Sequence, residues 1–142
     1  MGGAMIRKPN YWLLKTEPST YSFADLEREG EAVWDGVTNP LALKHLRAMK
    51  KGDLALLYHT GNEKQIVGIA EVASDSYPDP KQRNPKLVVV NLKPRERLKY
   101  TVTLAAIKQR KEFADWELVR MGRLSVVPVS PERWKLLCSM AG

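Results

Sequence analysis

The sequence predicts an α+β fold built around a curled sheet or small barrel, and three observations predict it. Short apolar or β-branched runs recur along the whole chain, short segments with helix-capping signals stand between them, and no repeat, low-complexity tract or linker divides it. With 142 residues, 16.1 kDa and 44% hydrophobic residues, the chain has the size of one ordinary domain, able to bury roughly two thirds of its unfolded surface. Residues 10–142 are therefore expected to form a single domain, and residues 1–9 a disordered or tag-derived start.

Tyr11-Trp12-Leu13-Leu14 reads as a buried strand that ends before Pro18. Ser22, with Asp25 three residues on and Gly30 to close, predicts a short capped helix. Val33 to Val37 is too short to classify. Asn39 as N-cap, Pro40 in the first turn, Leu43, Leu46 and Met49 on one face and a closing Gly52 predict a helix over 40–51. Leu54 to His59 and Gln65 to Ala73 read as strands joined at Thr60-Gly61-Asn62, and Leu87 to Leu92 as a buried strand. Tyr77-Pro78-Asp79-Pro80 reads as a rigid turn. Thr103 to Lys108 and Phe113 to Val119 carry short helical patterns. Leu124 to Val129 returns to strand, and Ser130-Pro131-Glu132 starts a final helix holding Trp134, Leu137 and Cys138.

Charge is distributed unevenly. The 23 Lys and Arg against 16 Asp and Glu give +7, yet residues 1–40 hold four basic and six acidic residues. Between Lys81 and Arg123 stand twelve basic residues against four acidic ones, a candidate surface for a polyanion such as nucleic acid. One cysteine and two histidines supply no disulfide and no spaced metal set, so neither metal nor cofactor is expected. No apolar run approaches the roughly 18 residues that cross a bilayer, so no membrane partner is expected either. The expected setting is a reducing one: cytoplasmic, nucleoid-associated in a bacterium or nuclear in a eukaryote.

Glycine-rich phosphate loops, paired-histidine metal motifs and nucleophile-elbow serines are all missing. Aromatic and hydrogen-bonding residues instead cluster beside strand ends: Lys15-Thr16-Glu17, Trp34-Asp35-Gly36 and Tyr58-His59-Thr60. A nucleobase taken out of its stack needs ring faces and fixed donors and acceptors, which these residue types supply. Each also has a plainer reading. Trp34 can be a core aromatic, Lys15 and Glu17 an exposed ion pair, His59 a hydrogen-bonded structural histidine, and Arg123 a salt-bridge residue.

The motifs Tyr11-Trp12-Leu13-Leu14-Lys15-Thr16-Glu17-Pro18, Trp34-Asp35-Gly36-Val37-Thr38-Asn39, Leu46-Arg47-Ala48-Met49-Lys50-Lys51-Gly52-Asp53, Tyr58-His59-Thr60, Tyr77-Pro78-Asp79 and Arg123-Leu124-Ser125-Val126-Val127-Pro128-Val129 occur in the order typical of EVE domains. The chain resembles that family from about residue 10 to 140. The resemblance implies a PUA-like fold, a mixed β pseudo-barrel with flanking short helices, related to the YTH and ASCH domains. It implies a monomeric, non-catalytic reader that takes a modified base, modified cytosine in DNA foremost, into an aromatic pocket by base flipping. It places Lys15, Thr16, Glu17, Trp34, Asp35, Gly36, Val37, Asn39, Tyr58, His59 and Thr60 at that pocket. Lys81, Arg83, Lys86, Arg120, Arg123, Leu124 and Ser125 fall at its rim or on phosphates. The family's relatives leave two alternatives, an RNA-binding module of YTH or PUA type and an ASCH-like amidohydrolase of acylated cytidine using Lys15, Thr16 and Glu17. Thr38 and Pro40 stand where family members often have Arg and Tyr, and the 77–86 connection is shorter than usual.

Overall fold

The computed structural model describes residues 8–142, so the expectation for residues 1–7 lies outside the described residues. The elements run β1 (Tyr11–Thr16), α1 (Phe23–Glu29), β2 (Ala32–Trp34), α2 (Pro40–Ala48), β3 (Leu54–His59), β4 (Gln65–Val72), β5 (Tyr77–Pro78), β6 (Val88–Thr103), α3 (Leu104–Lys108), α4 (Glu117–Arg120), β7 (Val126–Val129) and α5 (Pro131–Met140). One mixed sheet carries the order β2-β6-β4-β3-β1-β7, with β5 added beside β6. β1 pairs parallel with β3, and every other pairing is antiparallel. The expected α+β class with a curled mixed sheet and short flanking helices is what forms.

The sheet curls into a half-barrel whose end strands, β2 and β7, do not pair. Helix α2 packs against β7 and against β6, the neighbour of β2. Its buried Ala42, Leu43 and Leu46 join the core. The middle of β1 is buried on both faces, which is why Trp12, Leu13 and Leu14 form a continuous apolar run rather than an alternating one. Its Trp12 indole donates to the buried Asp53 carboxylate at 3.0 Å, and that carboxylate also accepts from the backbone N–H groups of Asn10 and Lys50, each at 3.0 Å.

Several helix ends follow the capping logic directly. Ser22 and Asp25 form a reciprocal capping box, Gly30 closes α1, Asn39 Oδ1 accepts from Leu41 and Ala42, and Ser130 caps α5. The core residue Phe23 heads α1, where its backbone N–H donates to His59 Nε2 at 3.1 Å.

The structure departs from the sequence reading in four places. Helix α2 stops at Ala48 rather than 51, because Asp53 takes the Lys50 N–H that a longer helix would have used. The strand expected over 87–92 continues as β6 to Thr103. Irregular register beside Ala70 accommodates Pro94 there, and Lys93, Arg95 and Arg97 pair with Glu31, Glu71 and Glu27. The stretch 113–119 is split between a 3-10 turn at Lys111–Phe113 and α4, since Trp116 adopts extended backbone to bury its ring and donate to Pro128 O at 2.9 Å. Finally, Tyr77-Pro78 is a short strand rather than part of a turn, and Tyr77 OH donates to Asn91 Oδ1 at 2.5 Å.

Candidate functional site

An open cleft of about 690 Å³ lies where the half-barrel fails to close. One wall is the end of β1 and the turn after it, with Lys15, Thr16, Glu17, Thr20 and Tyr21. The opposite wall runs from Val33 to Asn39, at the head of α2, and Arg123 and Ser125 border it ahead of β7. Gly36 adopts φ +79°, a left-handed turn that swings the chain from β2 into α2, and a side chain there would be strained.

Trp34 is 8% exposed and meets Tyr21 edge-on, with ring centroids 6.0 Å apart and planes at 79°. Its indole N–H has no partner among the described residues, yet no buried side-chain nitrogen or oxygen there lacks one. The N–H therefore reaches solvent, and little else of the Trp34 side chain does. Tyr21 OH donates to Glu29, and burial together with that carboxylate pushes the phenol up from its ordinary range.

The three consecutive residues of β1 and its exit are each committed elsewhere. Lys15 Nζ donates to Gly122 O at 2.7 Å and lies 5.8 Å from the Tyr58 ring centroid, and burial pulls the ammonium down from its ordinary value. Thr16 Oγ1 donates to Tyr21 O at 2.6 Å, and Glu17 accepts from Ser19 Oγ at 2.8 Å. Lys15, Thr16 and Glu17 make no hydrogen bond with one another, so they form neither the exposed ion pair nor a preassembled catalytic triad. By contrast, Asp35, Arg123 and the Ser125 hydroxyl make no hydrogen bond with described residues. Together with the Trp34 N–H, they have capacity to spare for a ligand.

Of the residues placed at the pocket from sequence, Lys15, Thr16, Glu17, Trp34, Asp35, Gly36, Val37 and Asn39 line the cleft. Tyr58, His59 and Thr60 do not. Tyr58 and Thr60 border a separate depression across Lys15. His59 is buried and structural: Nε2 accepts from Phe23 N–H, so its proton sits on Nδ1, which donates to Glu63 at 2.9 Å. At the rim, Arg123 and Ser125 line the cleft, whereas Leu124 is buried beside a third cavity. Arg120 Nε donates to Asp115 O at 2.7 Å and does not line the cleft. Lys81, Arg83 and Lys86 lie exposed on the connection into β6, which is closed by Asp79 N–H donating to Leu87 O at 2.9 Å. Of the twelve basic residues, Lys93, Arg95 and Arg97 on β6 are paired with acids along the sheet, and Arg123 alone lines the cleft.

Sequence reasoning missed Thr20, Tyr21, Val33 and Thr38 in the lining. Tyr21 carried a usable signal, an aromatic directly before an N-cap serine, and Val33 is the outward neighbour of a buried Trp on a strand. Among the described residues no group of three or more His, Cys, Asp or Glu could hold a metal ion, and no helix is long and apolar enough to cross a membrane.

Comparison with known proteins places this geometry. A protein of Rhodopseudomonas palustris solved by NMR superposes with a TM-score of 0.89 at 45% identity, covering 94% of this chain and 93% of the other. Human thymocyte nuclear protein 1, solved in complex with DNA containing 5-methylcytosine, superposes with a TM-score of 0.85 at 27% identity, covering 93% and 97%. The Rattus norvegicus thymocyte nuclear protein 1 is 30% identical over 92% of this chain and 73% of its own length. An ASCH protein of Zymomonas mobilis shares the fold at 11% identity and a TM-score of 0.57. The EVE domain family matches residues 10–140, and the chain belongs to that family.

Proposed function

We propose that this protein is a non-catalytic reader of modified cytosine in DNA, taking the extruded base into the cleft between Trp34 and Lys15. The observation that carries the reading is the likeness, over 93% of the chain, to a human protein solved with 5-methylcytosine-containing DNA. The chemistry of the cleft agrees with it. Glu17 and Asp35 offset Lys15 and Arg123 in the lining, a balance that suits a neutral heterocycle better than a phosphate. Asp35 can accept from an exocyclic amine, while the Trp34 N–H and the Ser125 hydroxyl can donate to ring acceptors. Lys81, Arg83, Lys86 and Arg123 make no side-chain ion pair with described residues and stand available to backbone phosphates.

Val33 and Val37 give the cleft an apolar component against which a 5-methyl group can rest. Burying one methyl contributes about 0.8 kcal/mol, a preference of roughly fourfold. The test is titration against two duplexes identical except for one 5-methylcytosine, with single-stranded RNA as competitor. A several-fold preference for the modified duplex is expected, with binding of both duplexes weakened in Trp34→Phe. Equal affinity for the two duplexes, or displacement by RNA at lower concentration than by modified DNA, refutes the reading.

A further inference from the structure

Lys15 lines two cavities. Across its side chain from the cleft is a depression of about 200 Å³ whose lining includes Tyr58, Thr60, Gly61, Lys64 and Lys108. The two spaces differ in charge. Acids and bases balance in the cleft, whereas the depression is lined by three lysines and no carboxylate. The Glu17 carboxylate, which accepts from Ser19 and lines the cleft, lies against Gly61 at the border of the two spaces.

No ion pair among the described residues ties a carboxylate, Glu17 included, to this cluster. Lys64 and Lys108 are exposed and make no side-chain hydrogen bond or ion pair with described residues. Lys15 donates one hydrogen bond to Gly122 O and keeps two N–H groups free. Lys64 is also the one non-glycine residue with positive φ among those described, at 47°, a conformation that costs a lysine free energy and marks a position held for a reason. Its carbonyl accepts from Leu104 N–H at 2.8 Å, which fixes the start of α3, and hence Lys108, relative to the turn that carries Lys64. Three lysines on connected elements, in a small hollow whose remaining lining is largely apolar and includes Leu104, Leu118 and Val119, are matched by a tetrahedral oxyanion.

We propose that the Lys15–Lys64–Lys108 depression holds the phosphodiester flanking the nucleotide whose base enters the cleft. The strand then passes over Lys15, which touches both parts of one nucleotide unit. This inference rests on the cleft being the base site, and it adds a direction for the backbone on this side of Lys15: past Gly122 toward α3.

The test compares wild type with Lys64→Ala/Lys108→Ala on the methylated and unmethylated duplexes across a salt series. Each lost phosphate contact lowers the slope of log K against log salt by about 0.9, so the double variant should lose about 1.8 from the slope and bind both duplexes roughly 30-fold more weakly at 0.15 M. The ratio between duplexes stays as in wild type. Lys44→Ala/Lys135→Ala, at residues lining neither cavity, should leave the slope unchanged. An unchanged slope in the first variant, or an equal fall in the second, overturns the inference. Inorganic phosphate titrated into isotope-labelled protein should shift the Thr60, Gly61 and Lys64 amides in wild type and not in Lys64→Ala/Lys108→Ala. Absence of these shifts also overturns it, as do phosphate shifts accompanied by an unchanged DNA slope, which define a small-anion site only. Failure of the base-reader reading shows separately, as equal wild-type affinity for the two duplexes.

Discussion

Replacing Gly68 by alanine tests the packing on which the cleft wall rests. A Cβ at Gly68 would stand 2.6 Å from the Phe23 ring carbons Cε2 and Cζ, whereas ordinary contact begins near 3.4 Å, so the ring must recede by about 0.8 Å. It has little freedom to do so. Phe23 is fully buried, its backbone N–H is held by His59, and the Arg97 guanidinium lies 5.4 Å from its ring centroid. Overpacking a rigid core costs about 1–3 kcal/mol, and with no exit for the ring the upper end is expected. For a chain of this length that is a fall of roughly 10 °C in melting temperature. Urea unfolding should show a lower midpoint at unchanged slope. Gly68→Ala/Phe23→Leu should recover part of the loss, because leucine withdraws the clashing ring atoms. A Gly68→Ala protein as stable as its parent, or strictly additive losses in the double variant, refutes the reasoning.

Three further outcomes follow from other contacts. Asp53→Ala strips an acceptor from Asn10 N–H, Lys50 N–H and the Trp12 indole, and should cost about 3 kcal/mol or more by urea titration. Burial holds the imidazolium of half-buried His45 below its ordinary pKa. As pH falls below about 6.5 the unfolded chain therefore takes up a proton sooner than the folded one and stability drops, so melting temperature between pH 7 and 5 should vary less in His45→Gln. Arg123→Ala should leave stability within about 0.5 kcal/mol of wild type and lower the salt slope of DNA binding by about 0.9 for modified and unmodified duplexes alike.

Local chemistry made much of the fold legible. The Ser22–Asp25 box, the Asn39 cap and the apolar run of β1 are decided by residues within a few positions of one another, and each forms as its pattern implies. What stayed hidden depended on distant partners. Asp53 ends α2 through a contact that periodicity cannot show, and nothing in the charged run from Lys93 to Lys99 signals a strand until acids from α1, β4 and the α1–β2 turn neutralise part of it. The site followed the same division. The residues after β1 and β2 converge because those strands stand near opposite ends of the sheet path, whereas His59 carried identical signals for function and for structure until Phe23 N–H was found on its ring.

No backbone ladder ties β2 to β7, so the span between them depends on the helix packed against β7 and against β6, the neighbour of β2. A spacer of this kind can be reshaped from behind. Exchanging Leu43 or Leu46 for a shorter or bulkier residue would narrow or widen the mouth by fractions of an ångström while every residue that meets the guest keeps its identity. Descendants of one scaffold can in this way accommodate larger or smaller adducts through substitutions that no inspection of contacting side chains would single out.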